Sequence, residues 1–167
     1  GRFQDSRGQA DCISCPVGTR QPSTSQDACI PCDPGYVAAA ENSEVCDPCD
    51  AGEYAPYAGL SACSTCPSGT FSAGAEDGCT KCDPGRFQAL PRSSDCQPCA
   101  EGFFTSEHGS QECDECDSGR YAPGQNHSIC LECPEGRYSV TRRDGSGINA
   151  CDACDVGRFT NRTGTIV

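Results

Sequence analysis

The chain has 167 residues, 18 of which are cysteine, and it contains neither methionine nor tryptophan. So much cysteine with so few large apolar side chains excludes a fold held by hydrophobic burial alone and predicts covalent cross-links instead. The 24 acidic and 12 basic residues give a net charge of −12, which argues against a nucleic-acid partner and against docking on an anionic membrane. The sequence also lacks an apolar stretch of the roughly 18 residues that a membrane span needs.

Cysteine pairs recur along the chain at intervals of about 17 residues, a pattern that is typical of tandem-repeat architectures. Each pair has the form C-x-x-C, and every cysteine belongs to one; the first members are Cys12, Cys29, Cys46, Cys63, Cys79, Cys96, Cys113, Cys130 and Cys151. In chain order we predict the end of a truncated repeat at 1–15, seven tandem repeats at 16–133, an expanded repeat with a loop insertion at 134–154, and the start of a further truncated repeat at 155–167. We therefore expect the chain to be a piece of a longer polypeptide.

Two other positions keep the period of the cysteines. A glycine stands three residues after each second cysteine, at Gly18, Gly35, Gly52, Gly69, Gly85, Gly102, Gly119, Gly136 and Gly157. A ring follows two residues later at Tyr54, Phe71, Phe87, Phe104, Tyr121, Tyr138 and Phe159, whereas Arg20 and Val37 take this place in the first two copies. We predict a positive-φ turn at the glycine, then a short strand whose ring faces inward over the disulfides. Short strand pairs and essentially no helix are expected; a carbohydrate or ligand platform made of the rings is the alternative.

The C-x-x-C pairs are compatible with two frameworks, disulfides or zinc. Tetrahedral zinc takes two pairs per ion, which leaves one of nine pairs over, and His108 and His127 add no regular ligand spacing. Redox chemistry expects a single motif at a helix N-terminus, which this pattern does not supply. The sequons Asn126-His-Ser and Asn161-Arg-Thr favour a secreted, oxidising context. We therefore predict a disulfide scaffold with no metal and no cofactor, and zinc remains the alternative.

Cysteine counting alone leaves the disulfide pairing open. The glycine turn and the ring lie between the second cysteine of one pair and the first of the next. Closing that loop gives Cys15–Cys29, Cys32–Cys46, Cys49–Cys63, Cys66–Cys79, Cys82–Cys96, Cys99–Cys113, Cys116–Cys130 and Cys133–Cys151. Each loop of about 15 residues would then gain roughly 3 kcal/mol, and Cys12 and Cys154 would take partners outside the segment. The rival pattern joins whole pairs crosswise, first to first and second to second.

The unit C-x-x-C-[DP]-x-G-x-[FY], followed by the next pair about 13 residues on, resembles the cysteine-rich repeat named for the ephrin receptors. It is also similar to the single-loop module of tumour-necrosis-factor-receptor domains, and long runs of such units resemble large surface proteins of protists and algae. The resemblance covers almost the whole chain. It implies small disulfide-pinned β-loops that stack into an elongated rod, and it supports the loop-closing pairing. Two copies depart from it: one has Arg20 in place of the ring, and the other has a longer loop between Cys133 and Cys151.

Two stretches of the sequence are candidate local sites. The inserted loop holds the adjacent pair Arg142 and Arg143, which is either an attachment point or an exposed turn that tolerates insertion. The acidic run CDECD from Cys113 to Asp117 lacks the spacing of a calcium loop, so a solvated face is the preferred interpretation. The sequence contains no motif of a hydrolase nucleophile, a zinc protease or a phosphate loop. We therefore expect no enzymatic activity.

These observations predict a non-catalytic extracellular structural segment of a larger cell-surface or filament-forming glycoprotein, such as a flagellar hair. Its partners would be other copies of itself or other extracellular proteins, and glycans would be attached at Asn126 and Asn161. The alternative is a receptor ectodomain that binds a protein ligand where the repeat is broken, at Arg20 or in the 134–151 loop. A zinc-binding array is the third possibility.

Overall fold

The computed structural model describes residues 1–4, 12–23, 26–140 and 145–156. The chain forms two compact units, Gly1–Thr80 with Pro91–Asp95 and Lys81–Leu90 with Cys96–Val167. Within the described ranges all regular structure consists of two-residue strands, without any helix, as the sequence predicts. No helix there is long and apolar enough to span a bilayer.

The strands form two-stranded sheets, each from two strands that are consecutive in the chain. They pair as β1 (Arg2–Phe3) with β2 (Ile13–Ser14), β3 (Thr19–Arg20) with β4 (Ile30–Pro31), β5 (Tyr36–Val37) with β6 (Asp47–Pro48), β7 (Glu53–Tyr54) with β8 (Ser64–Thr65), β9 (Thr70–Phe71) with β10 (Thr80–Lys81), β11 (Arg86–Phe87) with β12 (Gln97–Pro98), β13 (Phe103–Phe104) with β14 (Asp114–Glu115), β15 (Arg120–Tyr121) with β16 (Leu131–Glu132), and β17 (Arg137–Tyr138) with β18 (Asp152–Ala153). These short antiparallel pairs confirm the strand prediction.

The repeat of β5 and β6 shows how the sequence motif makes a hairpin. Gly35 has φ +84°, a conformation that costs a residue with a Cβ free energy, and the Tyr36 N–H donates to the Asp33 carbonyl at 3.0 Å to close the turn. The return strand is the x-x of the next C-x-x-C pair, so Val37 lies opposite Asp47. One motif therefore supplies the turn, both strands and the two cysteines at their ends.

The buried interior consists mainly of cysteine and of the residue that follows the ring, here called the post-ring position. Its members are at most 5% exposed: Gln21, Ala38, Ala55, Ser72, Gln88, Thr105, Ala122 and Ser139. The rings of Tyr54, Phe71, Phe87, Phe104, Tyr121 and Tyr138 are half-buried. The expectation of an inward ring is thus met only in part, since the fully buried places are taken by cysteines and post-ring residues.

Among the described residues, each unit has a small apolar cluster rather than a large core. In the first unit Val37, Cys49 and Ala55 are buried together, with Leu60 and Cys63 packed against them. In the second unit the buried members are Cys116, Ala122 and Ile148, and they contact Phe104, Tyr121 and Cys130. Clusters of this size bury too little apolar area to hold a chain of this length, so the cross-links contribute a large share of the stability.

Candidate functional site

The most regular feature of the molecule is the contact between successive repeats, which we call the seam. At one seam the Gly35 N–H donates to the Ala55 carbonyl at 2.9 Å, and the Gly35 carbonyl accepts from the Cys49 N–H at 2.9 Å. The Cys49 carbonyl in turn accepts from the Ala75 N–H at 2.9 Å. The Ala75 carbonyl oxygen then lies 2.3 Å from where a Cβ on Gly35 would stand. The backbone groups of four residues, from three successive repeats, therefore meet at a point where only glycine fits.

The same arrangement recurs in the second unit with different side chains. The Gly85 N–H donates to the Thr105 carbonyl at 2.8 Å, and the Cys99 N–H donates to the Gly85 carbonyl at 2.8 Å. The Asn126 N–H donates to the Cys99 carbonyl at 3.1 Å, and its own carbonyl oxygen lies 2.3 Å from a Cβ built on Gly85. Because every one of these bonds is made by the backbone, the seam depends on the repeat length and the glycine rather than on side-chain identity.

In most repeats one residue donates its backbone N–H to the carbonyl of the cysteine that opens the previous disulfide loop, as Ala75 does to Cys49. This residue is here called the corner residue. The residues that make this bond all have a positive φ, and they are Asn42, Gly59, Ala75, Arg92, Gly109 and Asn126. In the expanded repeat Gly147, also at a positive φ, takes the equivalent place against the Gly102 backbone, and it is counted as a corner residue by this position. The sequence pattern does not reveal this position, because its members share a backbone conformation and not a residue type. Spacing from the second cysteine, about ten residues in most copies, is the signal that could have located it, together with the preference of glycine and asparagine for this conformation.

Some side chains reinforce the seam. The Arg92 Nη2 atom lies 3.0 Å from the Glu53 Oε1 atom, which joins a corner residue to a strand two repeats earlier. The Ser72 hydroxyl donates to the Glu53 carbonyl at 2.9 Å, so this buried polar residue at the post-ring position is satisfied. In other repeats an arginine caps a cysteine carbonyl, as where Arg137 Nη1 donates to Cys151 at 3.1 Å.

Disulfides close the loop of each repeat. All cysteines lie within the described residues, and the bonded Cα atoms are 5.7–5.8 Å apart, which is ordinary disulfide geometry. The bridges are Cys15–Cys29, Cys32–Cys46, Cys49–Cys63, Cys66–Cys79, Cys82–Cys96, Cys99–Cys113, Cys116–Cys130 and Cys133–Cys151. Cys12 and Cys154 have free thiols. Bonded sulfurs offer no thiolate to zinc, and the described residues hold no His, Cys, Asp or Glu group suited to a metal ion.

The two departures from the repeat lie in different surroundings. Arg20 is half-buried opposite Ile30 and borders a shallow surface pocket with Asp33, Tyr36 and Val45. Arg142 and Arg143 lie outside the described residues.

The C-terminal part of the inserted loop contacts the previous repeat. Gly147 is a corner residue, and the adjacent Ile148 is 2% exposed and accepts a hydrogen bond from the Ala122 N–H at 2.8 Å. The insertion thus lengthens the loop, while Ile148 keeps the backbone contact with the previous repeat that the residue after a corner makes elsewhere, as Glu76 does with Ala55.

The remaining candidate residues fall on turns and on the surface. His108 Nδ1 lies 3.5 Å from an exposed Asp83 carboxylate, and the His127 carbonyl accepts from the Thr105 N–H at 3.2 Å. Asp114 and Asp117 are exposed, as a solvated face requires.

Glu115 is half-buried opposite Phe103, and its Oε1 atom makes no hydrogen bond. Of the two sequon residues, Asn126 is exposed, whereas Asn161 lies outside the described residues, as do Gly157 and Phe159.

Comparison with known families agrees with this geometry. The family model described as tyrosine-protein kinase ephrin type A/B receptor-like matches three successive segments, residues 1–39, 35–76 and 69–116. Together they cover more than two thirds of the chain. No curated protein sequence gives a significant match. Repeats of this kind with many disulfides are extracellular cysteine-rich modules. The resemblance to ephrin-receptor repeats is thereby confirmed, and the chain belongs to the ephrin type A/B receptor-like family.

Proposed function

We propose that the chain is a non-catalytic structural segment, a disulfide-stapled rod in a larger cell-surface or filament-forming glycoprotein of the flagellar-hair kind. The observation that carries this proposal is the repetition of one backbone seam with unrelated side chains, as at Gly35 with Ala75 and at Gly85 with Asn126. Because the seam is made by backbone groups, further repeats can be added with the same contacts and without new side-chain packing. Length is then the property that the repeat number controls.

The proposed rod has the physical properties that an extracellular spacer requires. Each bridge closes a loop of about 15 residues and contributes roughly 3 kcal/mol by limiting the unfolded chain. The sixteen bonded cysteines are thus distributed evenly, one bridge to a repeat. An oxidising environment preserves such a scaffold, whereas a reducing cytosol would open it. Its partners would be further copies of itself or other extracellular proteins.

Small-angle X-ray scattering of the secreted, oxidised chain tests the rod. A compact chain of this length would have a radius of gyration of about 15 Å, and the proposal requires a clearly larger value with a narrow cross-section. A value near the compact one contradicts it. The filament part has its own test, because electron micrographs of the native parent that showed isolated short monomers alone would contradict assembly.

A second candidate, a receptor ectodomain for a protein ligand, is supported by the surroundings of Arg20. A ligand needs a place that differs from the other repeats, and Arg20 replaces the ring there, beside the exposed Val45 and Tyr36. Replacement of Arg20 by Phe restores the repeat pattern and would abolish ligand capture in photocrosslinking at the parent cell surface. Capture that is the same with Arg20 and with Phe at this position removes the basis for this candidate.

A further inference from the structure

We infer that Asn126 carries an N-linked glycan, and that an exposed corner is an attachment point for a glycan wherever the sequence there contains a sequon. Asn126 begins the acceptor sequence Asn126-His127-Ser128. The inference does not depend on the rod, since it concerns one residue and its backbone.

The backbone of Asn126 is held in the seam, so its side chain is the part of the residue that can carry a substituent. The residue has φ +64°, its N–H is bonded to the Cys99 carbonyl at 3.1 Å, and its carbonyl oxygen is pressed against the Gly85 backbone. Both main-chain polar groups therefore face into the seam. The side chain is exposed, so a sugar attached to it would extend away from the contacts that hold the repeats together.

Two other corners with side chains show the same exposure. Asn42 and Arg92 have φ values of 62° and 58°, and both are exposed. A guanidinium-bearing side chain as long as that of Arg92 is accommodated there beside Glu53. The turn glycines are the opposite case, because a Cβ at Gly85 would collide with backbone. Large groups are thus tolerated at exposed corners, whereas they are excluded at the turns and at the buried corner Gly147, where a Cβ would lie 2.7 Å from the Phe103 ring.

The modification is a group transfer whose donor is an oligosaccharide linked to a lipid diphosphate. The Asn126 Nδ2 atom forms a bond to the anomeric carbon of the sugar. The bond from that carbon to the diphosphate oxygen breaks, and the diphosphate leaves with the electron pair. The amide nitrogen gives up one proton. No oxidant or reductant is required, and the peptide backbone is unchanged.

A glycan on Asn126 would cover an exposed apolar side chain on the neighbouring loop surface. Ile129 follows Asn126 by three residues and is 60% exposed. A hydrated oligosaccharide beside it would shield an apolar side chain that water otherwise contacts. Removal of the glycan is therefore expected to lower solubility before it lowers the stability of the seam.

Asn42 supplies a matched control within the same chain. It is an exposed corner asparagine, but it is followed by Ser43 and Glu44 and thus lacks a sequon. Glu44→Thr creates a sequon at that corner and leaves Asn42 itself unchanged. Asn126→Gly removes the acceptor while keeping a residue that corners already use at Gly59 and Gly109, so the fold is retained.

The experiment expresses the whole chain through a eukaryotic secretory pathway and treats it with a peptide N-glycosidase in heavy-oxygen water. That treatment converts each glycosylated asparagine to a labelled aspartate, which peptide mass spectrometry locates. We expect label at position 126 in the parent chain, at 42 and 126 in Glu44→Thr, and at neither in Asn126→Gly.

An unlabelled Asn126 in secreted, disulfide-bonded chain overturns the site. A labelled Asn126 with an unlabelled Asn42 in Glu44→Thr overturns the general role of the corner. Asn161 is identified by a separate peptide, so its occupancy does not affect either result.

Discussion

The carbonyl oxygen of Ala75 lies 2.3 Å from the point where a Cβ atom on Gly35 would stand, although 40 residues separate them in the chain. The distance is far shorter than any contact that a real Cβ atom makes. The turn glycine of one repeat and the corner of the repeat two further on are therefore in direct backbone contact. This relationship, more than any side chain, determines how closely successive repeats approach.

Gly35→Ala is expected to destabilise its seam by at least about 2 kcal/mol. A left-handed backbone costs an L-residue about 1–2 kcal/mol, and the collision with the Ala75 carbonyl adds to this. Hydrogen exchange at the amides of Cys49 and Ala75, whose bonds belong to this seam, measures the effect. Gly78→Ala is the control, because nothing lies within 4 Å of a Cβ there. Equal protection in the two variants would contradict the contact.

Ala75→Gly is expected to stabilise the same seam. Ala75 has φ +54°, and the relief of that strain exceeds the extra chain entropy of glycine, for a net gain of about 0.5 kcal/mol. Denaturant titration of the oxidised protein checks it. Ala73→Gly lies two residues away at an exposed position without a positive φ, and it should lose stability. A loss in both variants would show that the corner conformation carries no strain.

Ala38→Leu tests the post-ring position. Ala38 is 1% exposed, its carbonyl accepts from the Gly18 N–H at 2.8 Å, and its N–H donates to the Leu60 carbonyl at 3.2 Å. A larger side chain must push these backbones apart, at a cost of about 1–3 kcal/mol. Ala39→Leu, at the exposed neighbour, should change thermal stability by less than about 0.5 kcal/mol. Similar melting temperatures for the two leucine variants would rule out tight packing at Ala38.

Peptide mapping without reduction tests the pairing of the cysteines. The loop-closing pattern gives linked peptides such as Cys82 with Cys96, and only Cys12 and Cys154 react with an alkylating agent in the isolated chain. In the parent protein these two should instead appear linked to peptides from outside the segment. Peptides that join Cys79 to Cys96 and Cys82 to Cys99 would establish the crosswise pattern instead.

Sequence periodicity predicts the hairpin of each repeat well, because one residue type is required at each defining position. Gly35 must be glycine at φ +84°, and Cys49 must be cysteine to form its bridge. The corner is not visible in the same way, since Ala75 and Arg92 reach a positive φ only because the seam holds them there.

The post-ring position was also missed, for another physical reason. Its members range from Ala38 to Gln21 and Ser72, and polar residues are ordinarily expected at the surface. Here the buried polar groups find partners either within the repeat, as where the Gln21 Nε2 atom donates to the Ala28 carbonyl at 2.5 Å, or in the previous repeat, as where the Ser72 hydroxyl donates to the Glu53 carbonyl at 2.9 Å. Burial at this position accompanies backbone bonds to both neighbouring repeats, as at Ala38 with Gly18 and Leu60, and the hydropathy of the sequence does not express these bonds.

Amide hydrogen exchange before and after reduction tests most directly whether disulfides, rather than apolar burial, hold the fold. With the bridges intact, the amides of Gly35, Cys49 and Ala75 should be protected, because each donates across a seam or a hairpin. After reduction and alkylation of every cysteine, we expect exchange at the rates of an unfolded chain, since roughly 3 kcal/mol of stabilisation per bridge is lost. Protection that survives full reduction at these three amides would contradict it.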